Sequence, residues 1–214
     1  MASVFLLQAD LCAADRLRQT IEAVPGMKVA HVASTLADAR LALSAVTFDV
    51  VVTDLWLRDA TTSVLMHTLA TSLRHGRTRV LAIAMSGDDP RLLEALHGGI
   101  DGYFAMSRFA TTLPEAIEQV LRGESTMSSQ IAREVKRYFD AHAFETTDFV
   151  SETQNPLCLS DNERMLLQWI GEGYLPSEVA CGLQLSARAI GLGIRNIYRK
   201  LQFHRQADTL SLAA

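Results

Sequence analysis

Cysteine is scarce in this chain and badly placed for cross-links. Cys12, Cys158 and Cys181 are odd in number and far apart, which fits neither a disulfide framework nor a zinc site. Such usage implies a reducing, cytoplasmic compartment. Long apolar runs are missing too: none reaches the roughly 18 uncharged residues a membrane span needs, so no membrane partner is expected. The stretch Met1–Asp10 has no basic residues ahead of its short apolar run and reads as a strand rather than a signal peptide. Positive charge is not in excess. The net charge of -4 excludes coating of nucleic acid by bulk charge, though not a local basic face. No glycine-rich phosphate loop is present; Gly98-Gly99 and Gly171-Glu172-Gly173 look like helix ends. The six histidines are scattered without metal-ligand spacing, and Ser86-Gly87-Asp88 lacks the flanks of a nucleophile elbow. No enzyme activity, metal or cofactor is therefore expected, and no repeats or low-complexity tracts stand out.

What the 214 residues do contain is core material, 49% hydrophobic against 21% charged, enough for one or two packed domains. The first 125 residues alternate apolar runs with helix-like segments. Val4–Leu7, Lys28–Ala33, Val50–Val52, Val80–Met85 and Tyr103–Ala105 are the strand candidates, with Val50–Val52 the most clearly buried on both faces. Helices are expected over Leu11–Val24 and Leu36–Val46, after an Asp89 cap with Pro90 at the first helical position, and from a Thr112/Glu115 capping box to Leu121. Five strand-then-helix units imply a five-stranded parallel α/β sheet with helices on both faces.

Residues 126–156 change character: Ile131, Val135 and Tyr138 mark one helix, and His142–Pro156 reads as a polar linker. From Leu157 the pattern is all helical. A Ser160/Glu163 capping box opens one helix, Pro176–Leu183 forms a second, and Ser186 caps a third that carries Ile190, Ile194, Ile197 and Leu201 on one face. A fourth is expected from about Ala207. The short turn Gln184-Leu185-Ser186 makes the central pair a helix-turn-helix. Between Ser186 and Gln206 lie five basic residues and no acid. Arg188, Leu192, Arg195 and Arg199 fall opposite the isoleucine stripe, where arginine can meet phosphates or guanine edges in a major groove. Arg199, Lys200 and Arg205 read as phosphate-positioning groups, although cations at a helix C-terminus also complement its dipole.

These motifs resemble a known family. Leu159–Arg164 through Gly173, Ser177-Glu178-Val179-Ala180, Leu185-Ser186 and Asn196–Leu201 resemble the LuxR-type helix-turn-helix. Phe48–Leu55 and Gly99-Ile100-Asp101-Gly102-Tyr103 resemble a response-regulator receiver domain, so nearly the whole chain is similar to the NarL/FixJ family. The resemblance implies a flavodoxin-like receiver over residues 1–125, a linker over 126–156 and an all-α DNA-binding domain over 157–214. It also implies transcriptional regulation through double-stranded DNA, and a homodimer.

The receiver departs from the family's chemistry. The acidic pair that would hold Mg²⁺ aligns with Gln8 and Ala9, with Asp10 one place on. The lysine position aligns with Met106, and the hydroxyl position with Ala84, or Ser86 only after a shift of two. Tyr103 matches the aromatic position. Asp54 alone keeps its place, as phospho-acceptor position or as an ordinary carboxylate ending a strand. Too few charges remain for firm Mg²⁺ binding, and an added phosphoryl group, about -1.5 to -2, meets no internal counterion. Control by a protein partner or unidentified ligand, rather than by phosphate, is the expectation. Family positions directed toward DNA align with Ala189, Gly191 and Gly193. Two glycines so close, each costing roughly 1 kcal/mol in a helix interior, mean either close approach to DNA or an eroded DNA surface. Erosion would make the chain an interaction protein. An ordinary phospho-switched regulator is the third reading.

Overall fold

In the computed structural model of the protein, two compact units form, Met1–Gly123 and Glu124–Ala214. The structure describes residues 1–73, 78–107, 111–142 and 158–211, with 205–211 as backbone only.

The first unit alternates β1 (Ala2–Leu7), α1 (Leu11–Glu22), β2 (Met27–Ala33), α2 (Leu36–Ala45), β3 (Val50–Asp54), α3 (Thr62–Ser72), β4 (Arg79–Ala84), α4 (Arg91–Gly98), β5 (Gly102–Ala105) and α5 (Leu113–Leu121). The strands pair in parallel in the order β2-β1-β3-β4-β5. This is the five-stranded sheet that the alternation implied. Val50, Val51 and Val52 are wholly buried because β3 lies between β1 and β4. On one face Val4, Leu6, Val50, Val52, Leu81 and Ile83 pack with Ala14 and Ile21 of α1 and Ile117 and Val120 of α5. The order reverses between β1 and β3, so the carboxyl ends of these strands open on a switch point, the usual place for chemistry on such sheets.

Local capping sets where the helices begin. Asp10 accepts from the amides of Cys12 and Ala13, Thr35 from Asp38, and Thr112 and Glu115 complete their capping box. Two details differ from the sequence reading. Pro90 itself takes the cap position of α4, with helical φ -62° and ψ -20°, so Asp89 stands one residue outside it. Helix α3 has no counterpart among the expected helices, although a Thr61 cap and buried Leu65, Met66 and Leu69 announce it.

The second unit holds α6 (Ser129–His142), α7 (Asp161–Glu172), α8 (Pro176–Gly182) and α9 (Ala187–Ser211). Ile131, Ala132, Val135 and Phe139 form the buried face of α6. Phe139 takes the place expected of Tyr138, which is half-buried beside it. The α6–α7 contact is close: Arg133 Nη1 donates to the Gly171 carbonyl at 2.6 Å. Gln184 has a φ of +55°, which lets the chain turn from α8 into α9. The separate helix expected from about Ala207 does not form among the described residues: α9 runs unbroken to Ser211, because no glycine or proline after Gly193 stops it.

The shared core makes the first unit sensitive to cavities. Ile117→Ala should destabilise it by about 2–5 kcal/mol, read as a lower midpoint in urea unfolding.

Candidate nucleic-acid interface and receiver pocket

The register of the sheet brings the predicted receiver positions to one edge. Leu7 pairs with Thr53, Asp54 with Ile83, and Ala84 with Ala105, so Gln8, Asp54, Ala84 and Met106 all sit at strand carboxyl ends. Their chemistry is sparse. Gln8 is buried, and its Oε1 accepts from the Asp10 amide at 3.2 Å. Asp10 is exposed, and its Oδ1 is engaged in capping α1, at 2.8 Å from the Cys12 amide. Ala9 is half-buried and Ala84 is buried; their methyl groups offer a phosphate or metal nothing. Ser86 lies beyond β4, where its hydroxyl accepts from the Asp88 amide. Tyr103 is buried, and Met106 is exposed.

Asp54 is half-buried and accepts at Oδ1 from the Trp56 amide at 2.9 Å. The receiver fold implies Mg²⁺ here, but one half-buried carboxylate, an amide and a helix cap do not make its oxygen shell. No group of three or more histidine, cysteine or carboxylate side chains suited to a metal forms among the described residues.

The sequence reading missed a cation at this edge. Arg91 Nε and Nη2 grip the Asp89 carboxylate at 2.9 and 2.6 Å. The guanidinium carbon stands 5.1 Å from the centre of the exposed Trp56 ring, a cation–π distance. The guanidinium's hydrogen bonds hold the Asp89 carboxyl below its ordinary range, against the opposing effect of burial. Arg91 is pushed up, first by its bond to Asp89 and also by the charges of Asp89 and Asp54. Only the Asp-x-Arg spacing after β4 hints at this in the sequence; Trp56 is brought in by the fold.

In the second unit the basic residues separate into two sets. Arg188, Leu192 and Arg199 are exposed on one side of α9. Arg195 is half-buried. Lys200 turns inward: Nζ donates to Glu163 Oε2 at 2.6 Å and to the Cys158 carbonyl at 2.8 Å. Its charge therefore holds the start of α7 to α9. The side chain of Arg205 lies outside the described residues. The two glycines serve packing inside the unit. A Cβ at Gly193 would lie 3.0 Å from Leu166, and Gly191 lies against Glu124 and Ser125. No helix among the described residues is long and apolar enough to cross a membrane.

Since Asp89 is depressed in the folded state, it contributes stability above its unfolded value, about 3.9, that is lost as pH falls through the folded value. Arg91→Leu should raise the Asp89 carboxyl and move acid unfolding to higher pH. A carboxyl NMR titration and circular dichroism check both.

No family model matches the chain. It is 25% identical to the "DNA-binding transcriptional activator DevR/DosR" of Mycobacterium tuberculosis over all 214 residues, covering 94% of that protein. To the nitrate/nitrite response regulator NarP of Escherichia coli it is 24% identical, over 86% of this chain and 81% of that one. A crystal structure of a LuxR-family two-component response regulator from Aurantimonas sp. SI85-9A1 matches 63% of this chain and 97% of its own, at 26% identity and a TM-score of 0.56. RcsB of Salmonella typhimurium shares the fold over 94% of this chain and 91% of its own, at 18% identity and a TM-score of 0.55. The homologues of this chain are NarL/LuxR-family response regulators, as its motifs implied.

Proposed function

We propose that the chain is a cytoplasmic, homodimeric, DNA-binding transcriptional regulator whose receiver is not switched by aspartyl phosphorylation. The observation that carries the second half is the sheet edge. Asp54 stands there with Gln8, Ala9, Ala84 and Met106 in the places of metal ligands, hydroxyl and lysine, and the cation whose charge reaches it, Arg91, is already bound to Asp89. A phosphoryl group on Asp54 would gain neither metal nor lysine. DNA binding draws support from the acid-free run between Ser186 and Gln206 and from the exposure of Arg188 and Arg199 on one face of α9. The Mycobacterium relative is itself a DNA-binding transcriptional activator. A second reading, an interaction protein that captures another regulator, is favoured by one feature: Gly191 and Gly193 serve packing rather than presenting side chains outward.

Two measurements test this. Fluorescence anisotropy with a labelled duplex should show affinity falling steeply with salt. Arg188→Ala and Arg199→Ala should each make the log–log slope shallower by about 0.9, the value for one neutralised phosphate. No binding at low salt would favour the interaction protein. Incubation with acetyl phosphate and Mg²⁺ should leave the intact mass unchanged; a stable one-phosphoryl gain abolished by Asp54→Ala would establish the ordinary phospho-switch instead.

A further inference from the structure

We infer that residues 124–126 form a strap that keeps α9 out of a major groove, with Glu124 standing at Arg188 where a DNA phosphate would. The inference rests on the DNA-binding reading above. Three consecutive residues are each fixed to the helix. Glu124 Oε1 is 3.7 Å from Arg188 Nε, and the glutamate side chain is only 13% exposed. The Ser125 amide donates to the Gly191 carbonyl at 3.0 Å. The hydroxyl of the fully buried Tyr198 donates to the Thr126 carbonyl at 2.8 Å.

Gly191 is the notch that admits the strap. A Cβ there would lie 3.0 Å from Glu124 Cβ and 3.6 Å from the Ser125 carbonyl oxygen. The glycine is not needed for backbone conformation, since its φ is not positive. A residue unfavourable to a helix interior is thus explained by space alone.

The strap lies along the Arg188, Gly191 and Tyr198 side of α9, beside the exposed Leu192 and Arg199 that a DNA groove would meet. An α-helix with its side chains is about 10–12 Å across, and the major groove is about 12 Å wide. A second backbone lying at van der Waals contact along Gly191 leaves no room for both. Glu124 adds a charge argument, because a carboxylate at Arg188 repels the phosphates that this arginine would otherwise meet. The strap is also the first chain after Gly123, where the first unit ends. A signal received by that unit therefore has a covalent route to α9 that needs no phosphoryl group.

The test uses the full chain, a fluorescein-labelled random-sequence duplex at low salt, and three variants checked for folding by thermal melting. Glu124→Gln removes the competing charge, Ser125→Pro removes the donated N–H, and Gly191→Ala fills the notch with one methyl. Each should tighten binding by about fivefold, the scale of one hydrogen bond or one partly exposed ion pair. Hydrogen exchange of the amides at 124–128 should be slow in the free wild type and faster once DNA is bound. If the wild type and all three variants bind alike, with protection unchanged, the strap is overturned while DNA binding stands. Folded variants that bind more weakly would make the segment a support for the interface, and would overturn it as well. If none binds, both readings fall.

Discussion

A half-buried carboxylate must be balanced, and around Asp54 the protein strikes the balance with its own groups. The Trp56 amide donates to one oxygen, and Arg91 stands among the charges of this edge. Arg91 is committed elsewhere: it grips Asp89 through two nitrogens and lies over the Trp56 ring. Of the other receiver positions at this edge, Gln8, Ala9, Ala84 and Met106 carry no charge, and the Asp10 carboxylate caps α1. An extra charge of about -1.5 to -2 would thus arrive beside a cation already engaged and side chains that cannot answer it. On the reading proposed above, the first unit's signal would act through shape, or through the chain that leaves it.

Much of this is legible in the sequence, wherever the cause is local. The branched run Val50–Val52 announces the central strand, and the two capping boxes, Thr112/Glu115 and Ser160/Glu163, place their helices to the residue. The residue types at the receiver positions are legible too, since Gln8, Ala9, Ala84 and Met106 are read directly. What escapes is built by distance in sequence. The Trp56–Arg91 contact joins the loop after β3 to the start of α4. Lys200 meets Glu163 across 37 positions. Helix α3 escapes for a different reason, since its cap and apolar face are both present. Near Ala207 the expected break meets a helix that continues, because a helix needs a reason to end and none is supplied there.

The basic face of α9 shows the same division. The absence of acid between Ser186 and Gln206 is a sequence fact, yet the fold supplies acids from elsewhere. Glu163 takes Lys200, and Glu124 stands at Arg188. These two pairs differ in kind. Lys200 is 22% exposed and donates to a backbone carbonyl as well, so it belongs to the framework of the unit. Arg188 is 69% exposed and 3.7 Å from its partner, a loose pair worth at most about 1 kcal/mol and weakened further by salt. On the DNA-binding reading, a phosphate would displace the second partner and not the first. The number of basic residues on α9 therefore overstates its usable charge.

Gly191 and Gly193 sharpen the point about what a helix must do besides meet a ligand. A Cβ at either would press on a neighbour at 3.0 Å, Glu124 of the 124–126 segment for Gly191 and Leu166 for Gly193. The bonds that hold the segment are individually small: a backbone hydrogen bond of about 1 kcal/mol, a weak ion pair and a tyrosine hydroxyl bond of similar size. Their sum is well below the roughly 5–15 kcal/mol that holds a domain folded, so release of the segment as proposed does not require the unit to unfold. A released form lying a few kcal/mol above the held one amounts to between about 0.1 and 10% of molecules. On that proposal, several phosphate contacts would compete with the segment for α9, and a switch of this size would need no covalent modification.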